Sequence, residues 1–204
     1  AVDIDPKAQV VTTKSGQKVP YDKLIIATGS RGFVLPLLGN DLEGVMPFRT
    51  IDDTKVMMEA AKNYQKAAVI GGGLLGLEAA DGLVKLGMDT TVIHLEDWLM
   101  ETQLDQQAGE MLQADLENRG IKFSLGTQTT EIFGEDRVQG LKFADGSQLE
   151  ADLVIMSVGI VPEIQLGQQA GLETNRGIIV DQHMQTSDPN IFAVGECTEF
   201  NGRV

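Results

Sequence analysis

VIGGGLLGLEAADGLVKLG, residues 69–87, is the stretch from which the rest of the chain is read. The apolar run Ala67-Ala68-Val69-Ile70 stops at Gly71-Gly72-Gly73. Apolar residues then return at helical spacing as Leu74, Leu75, Leu77, Ala79, Ala80, Leu83 and Leu86. The pattern predicts a strand, a tight turn and a helix, with Gly87 as the C-terminal stop. Within it Gly71, Gly73 and Gly76 form G-x-G-x-x-G, in the strand-to-helix setting that gives this motif its meaning. Gly71 makes the turn, Gly73 lets backbone approach a pyrophosphate, and Gly76 lets helix and strand pack closely. The first helical turn, beginning at Leu74 and Leu75, offers unpaired N–H groups and a partial positive charge to phosphates. These residues describe a dinucleotide site.

The same fingerprint asks for an acidic residue about 20 positions on, at the end of the second strand, to hold the ribose hydroxyls. Here the second strand, Thr90-Thr91-Val92-Ile93, ends in His94, with Glu96 and Asp97 just beyond. A neutral imidazole accepts a bond from a ribose hydroxyl, yet does not repel a 2′-phosphate as a carboxylate does. The other reading of His94 is an exposed strand-end histidine without a ligand. No Lys or Arg lies between Thr90 and Met100 to receive a 2′-phosphate, so NAD is favoured over NADP.

Composition bounds the remainder. The 204 residues suffice for one large or two small domains. A formal net charge of −14 argues against nucleic acid or an anionic membrane surface as partner. The single cysteine, Cys197, excludes an internal disulfide or a C-x-x-C pair, and reads as a small buried residue rather than a reactive thiol. No apolar run reaches the length of a membrane span, and the start is not a signal peptide. Ala1 lies inside an expected strand and Val204 follows no terminating feature, which suggests a piece of a larger protein.

In chain order, Val2 to Ile4, Gln9 to Thr13 and Lys18 to Tyr21 predict a meander of short strands. Leu24 to Ala27 predicts a fully buried strand that ends at Thr28-Gly29. Gly32 to Phe48, with Pro36, Gly39, Gly44 and Pro47, reads as a connector. Thr50-Ile51-Asp52-Asp53 looks like a capped helix start, with Asp in place of the usual Glu. Leu104, Ala108, Met111, Leu112 and Leu116 mark an amphipathic helix closed by Arg119-Gly120, before a strand at Ile121 to Ser124. Residues 67–124 are therefore β-α-β-α-β, a mononucleotide-binding half. Trp98 reads as packing rather than as an adenine platform. A second meander follows, with Asp145-Gly146 as a hairpin turn, then the apolar strand from Leu153 that ends at Gly159. Meander, apolar strand and glycine thus occur twice, as in two similar domains.

Four segments, YDKLIIATGS, VIGGGLLGLEAA, SVGIVP and TSDPNIFAVGEC, resemble in order those of the FAD-dependent pyridine nucleotide-disulfide oxidoreductase superfamily. The resemblance covers essentially the whole chain. It implies an α/β architecture in which a Rossmann-like nicotinamide-binding domain is inserted in a partial FAD-binding domain, a three-layer fold. Residues 1–47 and 163–204 would belong to the FAD domain and 48–162 to the nicotinamide domain. Thr28 and Gly29 match the segment that passes beside FAD. Gly71, Gly73 and Gly76 match the nicotinamide dinucleotide's phosphate loop. Glu78 matches a helix glutamate near the nicotinamide–flavin stack, its other reading being a partner of a neighbouring Lys. Gly159 and Pro162 match the hinge between domains. Gly195 and Glu196 match the segment that holds the FAD ribityl chain, where the family has Gly-Asp and this chain carries the longer Glu.

Within the superfamily the chain is similar to the large subunit of assimilatory NAD(P)H-dependent nitrite reductases, through Gly-Glu-Cys, His94 and VIHLEDWLMETQLDQQAG. That likeness implies FAD and NAD(P)H as cofactors and hydride transfer between them. Iron–sulfur and sirohaem centres would lie outside these residues, with no metal ligands inside. Downstream redox centres or a small electron-transfer protein would be the partners, a homodimer is an option, and the location would be cytoplasmic. The fragment alone would be inactive and bind FAD weakly or not at all. A ferredoxin or rubredoxin reductase, an NADH oxidase, and a dinucleotide-binding module without turnover are the alternatives. No catalytic acid or base stands out.

Overall fold

The computed structural model describes residues 1–204, which divide into two compact units, 1–31 with 160–204, and 32–159. Strands β1 (Asp3–Asp5), β2 (Val10–Thr12) and β3 (Lys18–Pro20) form an antiparallel meander, followed by β4 (Leu24–Ile26) and β5 (Ser30–Gly32). Next come β6 (Val45–Pro47), α1 (Ile51–Asn63), β7 (Lys66–Ile70), α2 (Leu74–Lys85), β8 (Asp89–Ile93), α3 (Gln106–Asn118) and β9 (Lys122–Ser124). A second meander, β10 (Thr129–Gly134), β11 (Val138–Phe143) and β12 (Gln148–Glu150), leads into β13 (Leu153–Met156). The chain closes with β14 (Ile160–Pro162), the short α4 (Gln165–Gln169), β15 (Ile178–Ile179), β16 (Ile191–Ala193) and β17 (Thr198–Glu199).

The larger unit is three layers around a five-stranded parallel sheet of order β6-β13-β7-β8-β9. Alternation along each strand feeds two separate cores, because successive side chains point to opposite faces. Ala67, Val69, Val92, Leu153 and Ile155 pack with Met57 and Ala60 of α1, Leu77 and Leu83 of α2, and Leu116 of α3. Ala68, Ile70, Ile93, Val154 and Met156 pack on the other face against Ile132, Val138, Leu141 and Phe143 of the second meander. A sheet covered on both faces requires near-continuous apolar strands, which is how β7 and β13 read.

The connector expected at 32–48 contains β6, which pairs in register with β13 as Val45↔Val154, Met46↔Ile155 and Pro47↔Met156. The compact units divide after Arg31 and after Gly159, whereas the resemblance places domain boundaries after residues 47 and 162. Pro47 sits on the edge strand, where an N–H on the side away from the sheet has no ladder bond to lose.

In the smaller unit β4 pairs with β16 in parallel, Leu24↔Ile191, Ile25↔Phe192 and Ala193↔Ile26. The expectation of a fully buried strand at Leu24 to Ala27 is corrected here: Ile26 is buried at 4%, but Ile25 is 63% exposed. This is a two-stranded sheet. Period-two alternation sends Ile26 into the core with Ile4, Ile178, Ile191 and Cys197, and Ile25 away from it. Cys197 is fully buried, as the sequence suggested, its Sγ 3.3 Å from the Val194 carbonyl. No helix is long and apolar enough to cross a membrane.

Candidate functional site

The turn after β7 is shaped by two close approaches. Gly71 has φ +119°, and a Cβ there would stand 2.2 Å from the Ser157 carbonyl oxygen at the end of β13. A Cβ on Gly76 would stand 2.0 Å from the Gly71 carbonyl oxygen. Both positions admit only hydrogen, for opposing backbone does not yield as a flexible side chain does. Gly73 is different. Its φ of −83° and ψ of −179° suit any residue, and nothing lies within 4 Å of an added Cβ. No contact inside the chain explains that glycine, whereas an outside group that needs close backbone approach does.

Gly73 is the N-cap of α2, and no side chain caps this helix. Its first turn carries no acidic residue either. The positive end of the macrodipole and the first N–H groups, those of Leu74, Leu75 and Gly76, are thus left for an anion. Leu74 is 59% exposed, so its side chain forms no lid on them from the chain's own core. Beside the turn lies a cleft of about 610 Å³, lined among others by Gly71, Gly72, Gly73, His94, Glu101 and Gly159. Its size falls in the range of small-molecule sites, roughly 300–1,000 Å³. The residues present fit a dinucleotide's pyrophosphate.

His94 is not the exposed strand-end residue that the sequence allowed; it is buried at 8%. Gly72 N–H donates to its Nδ1 at 3.1 Å, and its Nε2 lies 3.0 Å from Glu101 Oε2. Both ring nitrogens are therefore engaged within the chain. Glu101 is the residue that the sequence reading missed, since only the folding back of residues 95–101 brings it to the strand end. Glu78 is exposed on α2, and the nearby Lys85 pairs with Asp81 instead. Trp98 packs against Gly109 of α3 and donates from Nε1 to the Leu104 carbonyl at 3.1 Å, the packing role that the sequence favoured.

In the smaller unit the parallel pairing of β4 and β16 brings Thr28-Gly29 and Gly195-Glu196 to the same carboxyl end of adjacent strands. Ligands of open α/β sheets bind at that end. Ser30 Oγ donates to Glu196 Oε2 at 2.8 Å, and Thr28 Oγ1 donates to the Glu163 carbonyl. Elsewhere in the unit the buried Glu199 carboxylate accepts from Asn175 Nδ2 and from the N–H groups of Arg176 and Gly177. Those bonds, led by that from Asn175, hold its pKa below the usual carboxylate value.

The model of the pyridine nucleotide-disulphide oxidoreductase family matches residues 1–204. The chain belongs to this family. Among the relatives of this chain, the NAD(P)H nitrite reductase of Bacillus subtilis (strain 168) is 56% identical over 201 residues, which are 98% of this chain and 25% of that protein. The assimilatory nitrate reductase electron transfer subunit of the same organism is 51% identical over 203 residues, 100% of this chain and 26% of that protein. The chain thus spans about a quarter of the length of each. Among solved structures, a ferredoxin reductase from Rhodopseudomonas palustris superposes with a TM-score of 0.92 at 34% identity, covering 98% of this chain and 50% of that one.

Proposed function

We propose that this oxidoreductase chain is the dinucleotide-binding part of an NADH-dependent flavoprotein, and that in the full-length enzyme it serves the reduction of nitrite to ammonia. The observation that carries the proposal is Gly73, a glycine with open space above it at the uncapped start of α2. The 56% identity to a nitrite reductase supports the choice of final acceptor. A nicotinamide dinucleotide held at Gly71, Gly73 and Gly76 would supply hydride chemistry, and FAD held in the smaller unit would supply onward electron transfer.

The chain's own task is orientation. Gly71 fixes the direction of the turn against Ser157, and Gly76 seats α2 close to the sheet. The amides from Leu74 onward aim a fixed positive potential at the pyrophosphate. Gly159 lines the same cleft. In the smaller unit Thr28, Gly29, Gly195 and Glu196 would hold FAD. The bond from Ser30 to Glu196 orients the carboxylate that is longer than the family's aspartate. Holding reactants in a productive pose is the main lever available to a protein whose cofactors carry the reaction.

Calorimetric titration of the purified protein with NADH tests the reading. Saturable binding that Gly73→Val weakens at unchanged fold is the expected result. No binding, or equal affinity in the folded variant, would remove the site. A second reading, reduction of a small electron-transfer protein, is favoured by the likeness to the ferredoxin reductase. Sequencing the gene beyond Val204 separates the two: clustered cysteines with iron–sulfur and sirohaem spacing support nitrite reduction.

A further inference from the structure

The end of β8 is where a dinucleotide site presents a carboxylate to ribose, and His94 occupies that position. A backbone amide can only donate, so the bond from Gly72 N–H assigns the lone pair to Nδ1 and the ring hydrogen to Nε2. Nε2–H then donates to Glu101 Oε2 at 3.0 Å. The imidazole thus has neither a hydrogen nor a lone pair left for a ligand.

Glu101 does. Its side chain is 31% exposed and lines the same cleft as Gly71, Gly72 and Gly73. Oε2 is engaged by His94, and Oε1 accepts nothing from the chain. The intervening segment is tied to the glycine turn, for Met100 N–H donates to the Gly72 carbonyl at 3.2 Å. Met100 itself takes φ +59°, turning the chain back, and Leu104 N–H returns to its carbonyl. Gly72 therefore has its N–H bound by His94 and its C=O by Met100. A Cβ on Gly72 would stand 2.8 Å from His94 Cγ, so the absence of a side chain there makes room for the ring.

We infer that Glu101 is the carboxylate that receives the ribose hydroxyls of the dinucleotide and rejects a 2′-phosphate, with His94 as the positioning residue that aims it. The inference rests on the dinucleotide reading of the cleft given above. Two adjacent ribose hydroxyls are donors that match one carboxylate. A 2′-phosphate has only acceptors and negative charge to offer it. No Lys or Arg lines the cleft to compensate. Glu96, the other acidic residue of the lining, is exposed, and no hydrogen bond of its carboxylate orients it.

Calorimetry of the purified protein with NAD and with NADP decides the matter, with thermal melts confirming that each variant is folded. The wild type prefers NAD. Glu101→Gln keeps the acceptor for His94 and removes the charge; the preference falls roughly threefold to fivefold, the size of one charge contact at a part-exposed site. Glu96→Gln leaves the ratio within about twofold. His94→Asn places an oxygen where Nδ1 was but does not reach Glu101, and loses preference as Glu101→Gln does. His94→Gln reaches Glu101 and retains it, a rescue that a merely structural histidine would not show. If wild type binds NAD but Glu101→Gln leaves the ratio unchanged, or Glu96→Gln moves it instead, the inference is overturned while the dinucleotide site stands. If wild type binds neither nucleotide, both fall together.

Discussion

Three helices pack on the same face of the parallel sheet, and their N-termini are treated in two ways. At α1 the chain closes its own accounts. Thr50 Oγ1 accepts from Asp53 N–H at 3.2 Å, and Asp53 Oδ2 accepts from Thr50 N–H at 2.7 Å, the reciprocal capping box that the sequence suggested. At α3 the Asp105 carboxylate accepts from Ala108 N–H at 2.9 Å. At α2 there is Gly73 and no side-chain cap. The physical demand is the same in all three, since each helix begins with N–H groups that have no partner within it. The fold supplies side-chain caps to α1 and α3 and leaves the first N–H groups of α2 without one.

The contrast can be broken most severely at Gly76. Gly76→Val drives a branched side chain into the Gly71 carbonyl, and the loss of stability should exceed about 3 kcal/mol. Chemical denaturation should show a large drop in midpoint or no cooperative transition. A melt within a degree of wild type would mean that helix and turn are not in backbone contact. Gly73→Val comes next and acts elsewhere. Affinity for NADH should fall tenfold or more, about 1.4 kcal/mol, with stability held within about 1 kcal/mol, because no protein atom occupies the space that the valine enters.

Thr50→Ala sharpens the comparison from the other side. It should cost about 1 kcal/mol of stability and leave NADH affinity unchanged, for the cap that it removes serves only α1. Coupled loss of affinity would show that α1 and the site are not independent. The smallest effect is expected from the smaller unit, where Glu199 performs a cap's task for the Arg176 and Gly177 amides. Its pKa is depressed in the fold. That contribution to stability is therefore present above the carboxylate's unfolded value and lost as pH falls through the folded one. Glu199→Gln should flatten this acid limb of the stability curve. An unchanged limb would assign it to other carboxylates.

Much of this was legible in one dimension. The glycine spacing at 71, 73 and 76, the apolar run before it and the helical period after it are local, and local patterns survive folding. So did the capping box at Thr50, the two meanders and the burial of Cys197. What the sequence could not convey was how many neighbours each strand would have. Leu24 to Ala27 and Leu153 to Met156 look alike as strings, yet β13 lies between two strands and two layers while β4 has one partner. Burial is a property of the sheet, not of the strand. The same reason hid Glu101. Its place at the strand end depends on residues 95–101 turning back over the glycine loop, through the left-handed Met100 and its bond to Gly72. Sequence by itself determined that a tight glycine turn joins β7 to α2, because its glycines answer to backbone geometry within a few residues. Only the tertiary structure decided which carboxylate faces the cleft, because that choice is made by contacts between segments some 20 to 30 positions apart.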